Sequence, residues 1–340
     1  MIPNNYDINI NTTRKAMTKE DFRDRCFKDF EFFCKKLFPD AFFVDFSDAH
    51  REIFRLILSS EQYCGVIAPR KLGKTPTICF AYPLRQILFN MESYIVIVSA
   101  TIEEAERHVD KITTVIEQSE AIHYYFGELV VRKQLETQKK SVQFANRIWL
   151  RAKGLGSQIR GTGGDWSPPS LIIVDDPQSN KDVKTETNLT NASNWFDDEV
   201  IYSKAKKWRH HLGKVMEGKI RFLGTSLHPQ CLAEKLFKDS RFKFLRYSIL
   251  QDEHGNADIV NGTSIWEAMF PTHELYAEMA QAEANGKLGN WLQERMNMPY
   301  KYGERMFNID DINYWNVGDN RFDVFQGMPI FVQESDIGLN

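Results

Sequence analysis

A short apolar run, YCGVIAP (Tyr63 to Pro69), passes straight into APRKLGKT, Ala68 to Thr75, and this junction restricts the fold more than any other part of the 340-residue chain. The octet fits the phosphate-cradling pattern GxxxxGK(S/T) at every fixed position but the first, where Ala68 stands in place of glycine. Such a loop functions between a buried strand and the start of a helix. Consecutive backbone amides must converge on the anion, a lysine must neutralise the β and γ oxygens, and a hydroxyl must hold magnesium. Here Gly73 keeps the backbone accessible, Lys74 supplies the charge and Thr75 the hydroxyl. Alanine at the first position is costly only if that position needs positive φ or very close packing. The expected ligands are therefore ATP and Mg2+, gripped by Ala68, Pro69, Arg70, Lys71, Leu72, Gly73, Lys74 and Thr75.

Around this loop the hydrophobic periodicity switches repeatedly between helical and strand-like. Apolar residues recur at helical spacing from Asp21 to Leu37 and from Asp48 to Leu58. After the loop, TPTICFAYPLRQILF reads as a helix that tolerates Pro76 in its first turn and that Pro83 should kink or shorten. SYIVIVSA (Ser93 to Ala100) is a continuous apolar run of the kind a strand covered on both faces shows, and TIEEAERHVDKITTVIEQ is an amphipathic helix with Thr101 as N-cap. Two antiparallel strands are expected near Leu129 to Lys133 and Ser141 to Lys153, then the strand LIIVDD (Leu171 to Asp176). A helix around Ala192 to Lys206, the strand KIRFLGT (Lys219 to Thr225), a helix from Gln230 and the strand FKFLRYSIL complete the alternation. This predicts an α/β fold of P-loop NTPase type, a mostly parallel sheet wrapped by helices. Beyond Gln251 two helices split by Gly286 follow, so the expected organisation is a helical segment over 1–45, an ATPase core over 46–250, a helical lid or linker over 251–310 and a connector over 311–340.

The acids closing LIIVDD are the second half of the expected site. An apolar strand ending in carboxylates is where a P-loop ATPase places the metal-binding acid and, beside it, the base that orients the attacking water. Asp175 fits the metal role and Asp176 the base. Such ATPases usually carry glutamate at the second position. Aspartate reaches less far by one methylene, so a closer backbone, a bridging water or another acid such as Glu199 must make up the difference.

A net charge of −3 argues against coating nucleic acid through bulk electrostatics, yet two basic stretches, Lys133 to Lys153 and Ser203 to Lys214, leave a local contact open. No window approaches the roughly eighteen apolar residues of a membrane span, and the five cysteines form no CxxC pair, so reduced, mostly buried thiols in a cytosolic protein are expected.

With these elements placed, the sequence resembles the ATPase part of the large terminase subunit of tailed phages, the motor that packages viral DNA. The matching words are APRKLGKT, SATIEEAERHVDKI, GLGSQIRGTGG before PPSLIIVDDPQ, NWFDDEVI, FLGTSLHP, and later SIWEAMFPTHEL and NWLQERMNMP, together covering roughly residues 45 to 300. The resemblance implies a RecA/ASCE-like fold that hydrolyses ATP to translocate double-stranded DNA into a procapsid. It further implies a homo-oligomeric ring on the portal, with portal protein and small terminase subunit as partners, no membrane, and a location in the host cytoplasm and transiently on the portal vertex. It implies that Arg70, whose fork suits phosphate oxygens, senses the γ-phosphate, that Arg160 is an arginine finger offered in trans, and that Gly224 and Thr225 couple nucleotide state to the motor. By the same resemblance His50 and Arg51, in FSDAHREI, contact the adenine. MPIFVQESDIGLN resembles the first strand of a nuclease domain, with Asp336 as its first metal-binding acid, but one acid cannot build a two-metal site and no cleavage by this chain is expected. The alternatives are a P-loop helicase, which would need a second nucleotide-binding lobe, and a nucleotide-binding module without hydrolysis.

Overall fold

The apolar runs form strands, and most of them join one sheet. The computed structural model describes residues 17–129, 131–134, 141–160, 167–299, 323–325 and 328–330. The chain divides into two units, residues 1–300 and 301–340. In the first, strands β1 (Tyr63–Ile67), β2 (Tyr94–Ser99), β3 (Val131–Gln134), β4 (Ser141–Phe144), β5 (Trp149–Gly154), β6 (Leu171–Asp175), β9 (Lys219–Gly224) and β10 (Lys243–Arg246) line up in the order β10-β1-β9-β6-β2-β5-β4-β3. Neighbours from β10 to β5 are all parallel, and at one edge the β5–β4 and β4–β3 pairs are antiparallel, so that β4 alone of these strands is reversed. Every residue of β2 and β6 is buried, as their unbroken apolar sequences require of strands covered on both faces.

This order decides where the site lies. β9 sits between β1, which leads into APRKLGKT, and β6, which ends in the acids. All three strands run the same way, so their C-terminal ends open on one edge of the sheet, where ligands of open α/β sheets bind.

The helices follow their local signals. α1 (Lys19–Lys28) and α2 (Phe30–Leu37) replace the single helix expected over 21–37, because Asp29 both ends the first and caps the second, its carboxylate accepting from the Phe32 amide at 2.9 Å. α3 covers Asp48–Leu58. At Pro83 the helix changes form and does not end. A π-helical segment, Pro76–Ala81, precedes α4 (Tyr82–Leu88), and the Tyr82 amide reaches back five residues to Thr77. Widening the turn moves carbonyls from the path of the proline ring, which a regular helix would force into contact. α5 (Ile102–Gln118) starts at the Thr101 cap, whose hydroxyl accepts from the Glu104 amide at 3.3 Å, and it buries Ala105, Val109, Ile112 and Ile116 on the sheet. α6 (Glu120–Phe126) follows. α7 (Glu186–Trp195) begins six residues earlier than its apolar pattern suggests, because Thr185 caps it, and it continues as a π-helical segment, Phe196–Ile201.

Two expected strands break in two. Ser141 to Lys153 is a hairpin, with β4 turning at Arg147 (φ 69°) into β5. FKFLRYSIL is β10 followed by β11 (Leu250–Gln251), which pairs with β12 (Thr263–Ser264). A small hairpin, β7 (Trp208–Arg209) with β8 (Val215–Met216), precedes β9. α8 (Leu232–Phe237), α9 (Thr272–Ala284) and α10 (Leu288–Met296) complete the first unit, the last two parted at Gly286 as expected. Of the second unit the structure describes one antiparallel pair, β13 (Asp323–Phe325) and β14 (Met328–Ile330). Asp336 and the glycines of GTGG, residues 161–164, lie outside the described residues.

Arg221, in β9, is 1% exposed, among the most buried of the large side chains. Its guanidinium donates to the carbonyls of Ile57 at 2.9 Å, Glu61 at 2.9 Å and Ser59 at 3.1 Å, just where α3 ends and leaves its last carbonyls without helical partners. The cation therefore sits at the negative end of the helix dipole.

Candidate nucleotide-binding site

The loop leaves β1 at Ile67 and turns helical at Lys74. Positive φ falls at Lys71 (68°) and Gly73 (74°), and Ala68 has none. The missing first glycine therefore costs no backbone strain. Ala68 continues the sheet instead, its amide donating to the Gly224 carbonyl at 3.3 Å.

Lys74 is buried. Its ammonium donates to the Ala68 carbonyl, to the Pro69 carbonyl at 3.3 Å and to the Thr225 hydroxyl at 3.3 Å. Burial lowers its pKa, while Asp176 and Asp175 oppose the shift. One residue on, the Thr75 hydroxyl donates to Asp175 Oδ1 at 3.3 Å across a separation of 100 residues. The other oxygen of Asp175 lies 3.1 Å from Nε2 of His108 on α5. Thr75, Ser99, Glu104, His108, Asp175 and Asp176 all face one cavity of about 550 Å³.

Asp176 leaves the strand with φ 39°, a left-handed conformation that aspartate tolerates better than most residues. Its amide donates to the Leu223 carbonyl at 3.0 Å. Burial raises its carboxyl above the usual carboxylate range, Lys74 opposes this, Asp175 adds to it, and a bond with the Thr225 hydroxyl lowers it. Thr225 thus touches both the loop lysine and the second acid. The preceding Gly224 is required sterically, because a Cβ there would lie 2.7 Å from the Phe222 ring and 3.0 Å from Ala233 Cβ.

The residues fit magnesium. Mg2+ takes oxygen ligands and keeps several waters, so it is usually held by one or two carboxylates with phosphate oxygens. Asp175 supplies one carboxylate and Thr75 a hydroxyl oxygen beside it, and among the described residues no cluster of three or more His, Cys, Asp or Glu could hold a metal ion by itself.

The other expected residues are placed as follows. Arg70 is half-exposed and its Nε pairs with Glu294 on α10 at 2.8 Å, while its amide donates to the Glu294 carbonyl at 3.1 Å. Arg160 pairs with Glu199 at 3.5 Å and donates to the Asp198 carbonyl. Glu199 also accepts from the amides of Ile159 at 3.1 Å and Arg160 at 3.4 Å, so its carboxylate is engaged by that segment. Arg51 is exposed and pairs with Glu31 at 3.0 Å and Asp48 at 2.9 Å, in the wall of a second cavity of about 760 Å³ shared with Phe46, Tyr247 and Trp266.

His50, expected beside the adenine, lies beneath the loop and anchors it. It is 2% exposed, and both ring nitrogens are taken: Nε2 donates to the Leu72 carbonyl at 2.9 Å, and Nδ1 accepts from the Ser47 hydroxyl at 2.8 Å and amide at 3.1 Å. Burial pushes its pKa down from 6.5 to about 4. The neutral ring is the folded form, so its contribution is complete above pH 6.5 and is lost as pH falls through about 4. That difference corresponds to about 3 kcal/mol of acid-labile stability. In urea titrations, His50→Ala is expected to lose about 2 kcal/mol at pH 7 and to show a shallower decline between pH 6.5 and 4 than the unaltered chain; parallel declines would exclude His50 as the acid-sensitive anchor.

His108 and Glu294 join the site without being expected there, although the words SATIEEAERHVDKI and NWLQERMNMP contain them. Neither has a local signature. Only the placement of β2 beside β6 brings α5 to Asp175, and only the return of α10 brings Glu294 to the loop.

No protein-family model and no curated protein matches the sequence. Among solved structures, the chain matches the large terminase of a thermophilic bacteriophage at 12% identity and a TM-score of 0.42, over 78% of this chain and 57% of that one. A structure of that terminase in complex with ADP matches at 13% identity and a TM-score of 0.36, over 60% and 46%. The Phi-28 gp11 DNA packaging motor matches at 14% identity and a TM-score of 0.35, over 74% and 70%. The chain spans about half the length of the terminase structures it matches.

Proposed function

We propose that this chain is an Mg-dependent ATPase and the motor of viral DNA packaging, the ATPase portion of a large terminase subunit, acting on double-stranded DNA as a homo-oligomeric ring on a portal with a small terminase subunit as partner. The observation that carries the reading is the meeting of the Thr75 hydroxyl with the Asp175 carboxylate beside the buried Lys74. These three groups are the ones needed to grip a metal-bound triphosphate.

In this reading Lys74 exchanges the Ala68 and Pro69 carbonyls for β and γ oxygens when ATP enters. Thr75 and Asp175 would hold a magnesium ion, which would supply neutralisation of phosphate charge, and His108 keeps the Asp175 carboxylate oriented. Asp176 orients a water and takes its proton as the water oxygen bonds to the γ-phosphorus and the bond to the ADP oxygen breaks. Its raised pKa makes the ionised form a stronger base. Arg70 leaves Glu294 for the γ-phosphate, Arg160 serves a neighbouring subunit, and Thr225, bonded to both Lys74 and Asp176, reports the state of the site to β9. No nuclease activity is proposed.

The test is phosphate release from Mg-ATP with and without double-stranded DNA, alongside mass measurement on DNA with a non-hydrolysable analogue. DNA-stimulated release and an ordered ring are expected. Binding of nucleotide without release would leave a nucleotide-binding module, and a monomer indifferent to nucleotide would overturn the motor reading.

A further inference from the structure

The basic stretch Ser203 to Lys214 has no part in the nucleotide site, yet it is built into a projecting hairpin. Its neck is fixed. The Ala205 amide donates to the Pro169 carbonyl at 2.8 Å, and the Gly218 amide donates to the Ala205 carbonyl at 3.0 Å. Strand and neck are so close that a Cβ on Gly218 would lie 2.5 Å from the Ala205 oxygen. The hairpin itself is closed by the His210 amide on the Lys214 carbonyl at 2.8 Å, and the His210 ring pins it to the Asn90 carbonyl at 2.8 Å.

Alternation along so short a ribbon gives it two unlike faces. Trp208 and His210 turn inward and are wholly or partly buried. Arg209 and its cross-strand neighbour Val215 turn outward and are exposed. Lys206, Lys207 and Lys214 are exposed as well, and none of these four cations makes an ion pair among the described residues. From Ser203 to Met216 the sequence contains no acid. In a chain of net charge −3, this is a local concentration of uncompensated positive charge held on a rigid support.

We infer that the β7–β8 hairpin is a contact surface for the phosphate backbone of duplex DNA. The inference rests on the motor reading only for the choice of polyanion. A two-stranded ribbon fits the major groove of B-form DNA, and lysine and arginine on its outer face and flanks would meet phosphates on either side. The exposed apolar side chains here, Leu212 and Val215, are separated by Lys214, too little apolar surface for a protein interface core. The hairpin leads into the N-terminal end of β9, and the loop lies by its C-terminal end, so the contact leaves the nucleotide pocket clear.

The experiment combines Lys206→Gln, Lys207→Gln, Arg209→Gln and Lys214→Gln in the full chain and measures duplex affinity by anisotropy between 50 and 200 mM salt. Each lost phosphate contact flattens the plot of log K against log salt by about 0.9, so the slope should become less negative by about 3 to 4, with at least a tenfold loss of affinity at the low-salt end. Basal ATP turnover without DNA should not change. Substituting the exposed Lys235 and Lys238 by glutamine is the control for general charge, and should leave the slope within about one unit. An unchanged slope and affinity in the hairpin variant would overturn the inference, including the outcome in which it loses an acidic protein partner but keeps DNA. A flattened slope in a chain without ATP turnover would retain the hairpin and reject the motor; intact DNA-stimulated turnover with unaltered affinity would do the reverse.

Discussion

Lys74→Ala is expected to lower ATP turnover by on the order of 100-fold to 1000-fold while the protein remains folded. Among the described residues the ammonium hydrogen-bonds to the Ala68 and Pro69 carbonyls and the Thr225 hydroxyl, so what it mainly offers a triphosphate is charge. Folding is spared because a buried ammonium is costly in itself, as the lowered pKa of Lys74 shows. Asp176 loses its opposing cation, but burial already raises that carboxyl and protonation removes the remaining penalty. Phosphate release and a urea titration on the same preparation check both parts. Lys74→Met, which retains the side-chain volume, separates lost charge from lost packing. Turnover retained by either variant would reject the loop assignment.

The second large effect concerns the fold. Arg221→Leu is expected to cost about 3 kcal/mol, because it leaves the carbonyls of Ile57, Ser59 and Glu61 without their donor at the end of α3, the Ile57 bond being buried and the other two partly so. The measurement is the shift of the urea midpoint at constant slope. A loss under about 1 kcal/mol would mean that water replaces the guanidinium and that the closure of α3 does not depend on it.

How much of this was legible in the sequence depended on whether the determining chemistry was local. The passage from strand through APRKLGKT into a helix, the Thr101 cap, the buried runs of β2 and β6 and the break at Gly286 each carry their signal within a few residues, and each of these local structures lies where that signal put it. The split at Asp29 had a local cause too, an aspartate able to cap, but the apolar period running through it concealed the break. The turn at Arg147 gave no warning, since arginine is an unusual choice for positive φ. The roles of His50, His108 and Glu294 were beyond reach for a different reason. Each is set by a partner at least 22 residues away, on an element whose position only the sheet order determines. Ala68 was legible as a question, and the absence of positive φ at that position answers it.

All five cysteines, Cys26, Cys34, Cys64, Cys79 and Cys231, are buried free thiols. Burial pushes Cys26 up to about 12 and holds Cys34, Cys64 and Cys79 above the ordinary thiol range, so none of these four offers a thiolate at neutral pH, and Cys231 is shielded by burial. A maleimide dye would therefore leave the native chain essentially unmodified. With Leu212→Cys at the hairpin tip, the label would have a single address, and fluorescence could follow one defined point of the molecule with no cysteine removed.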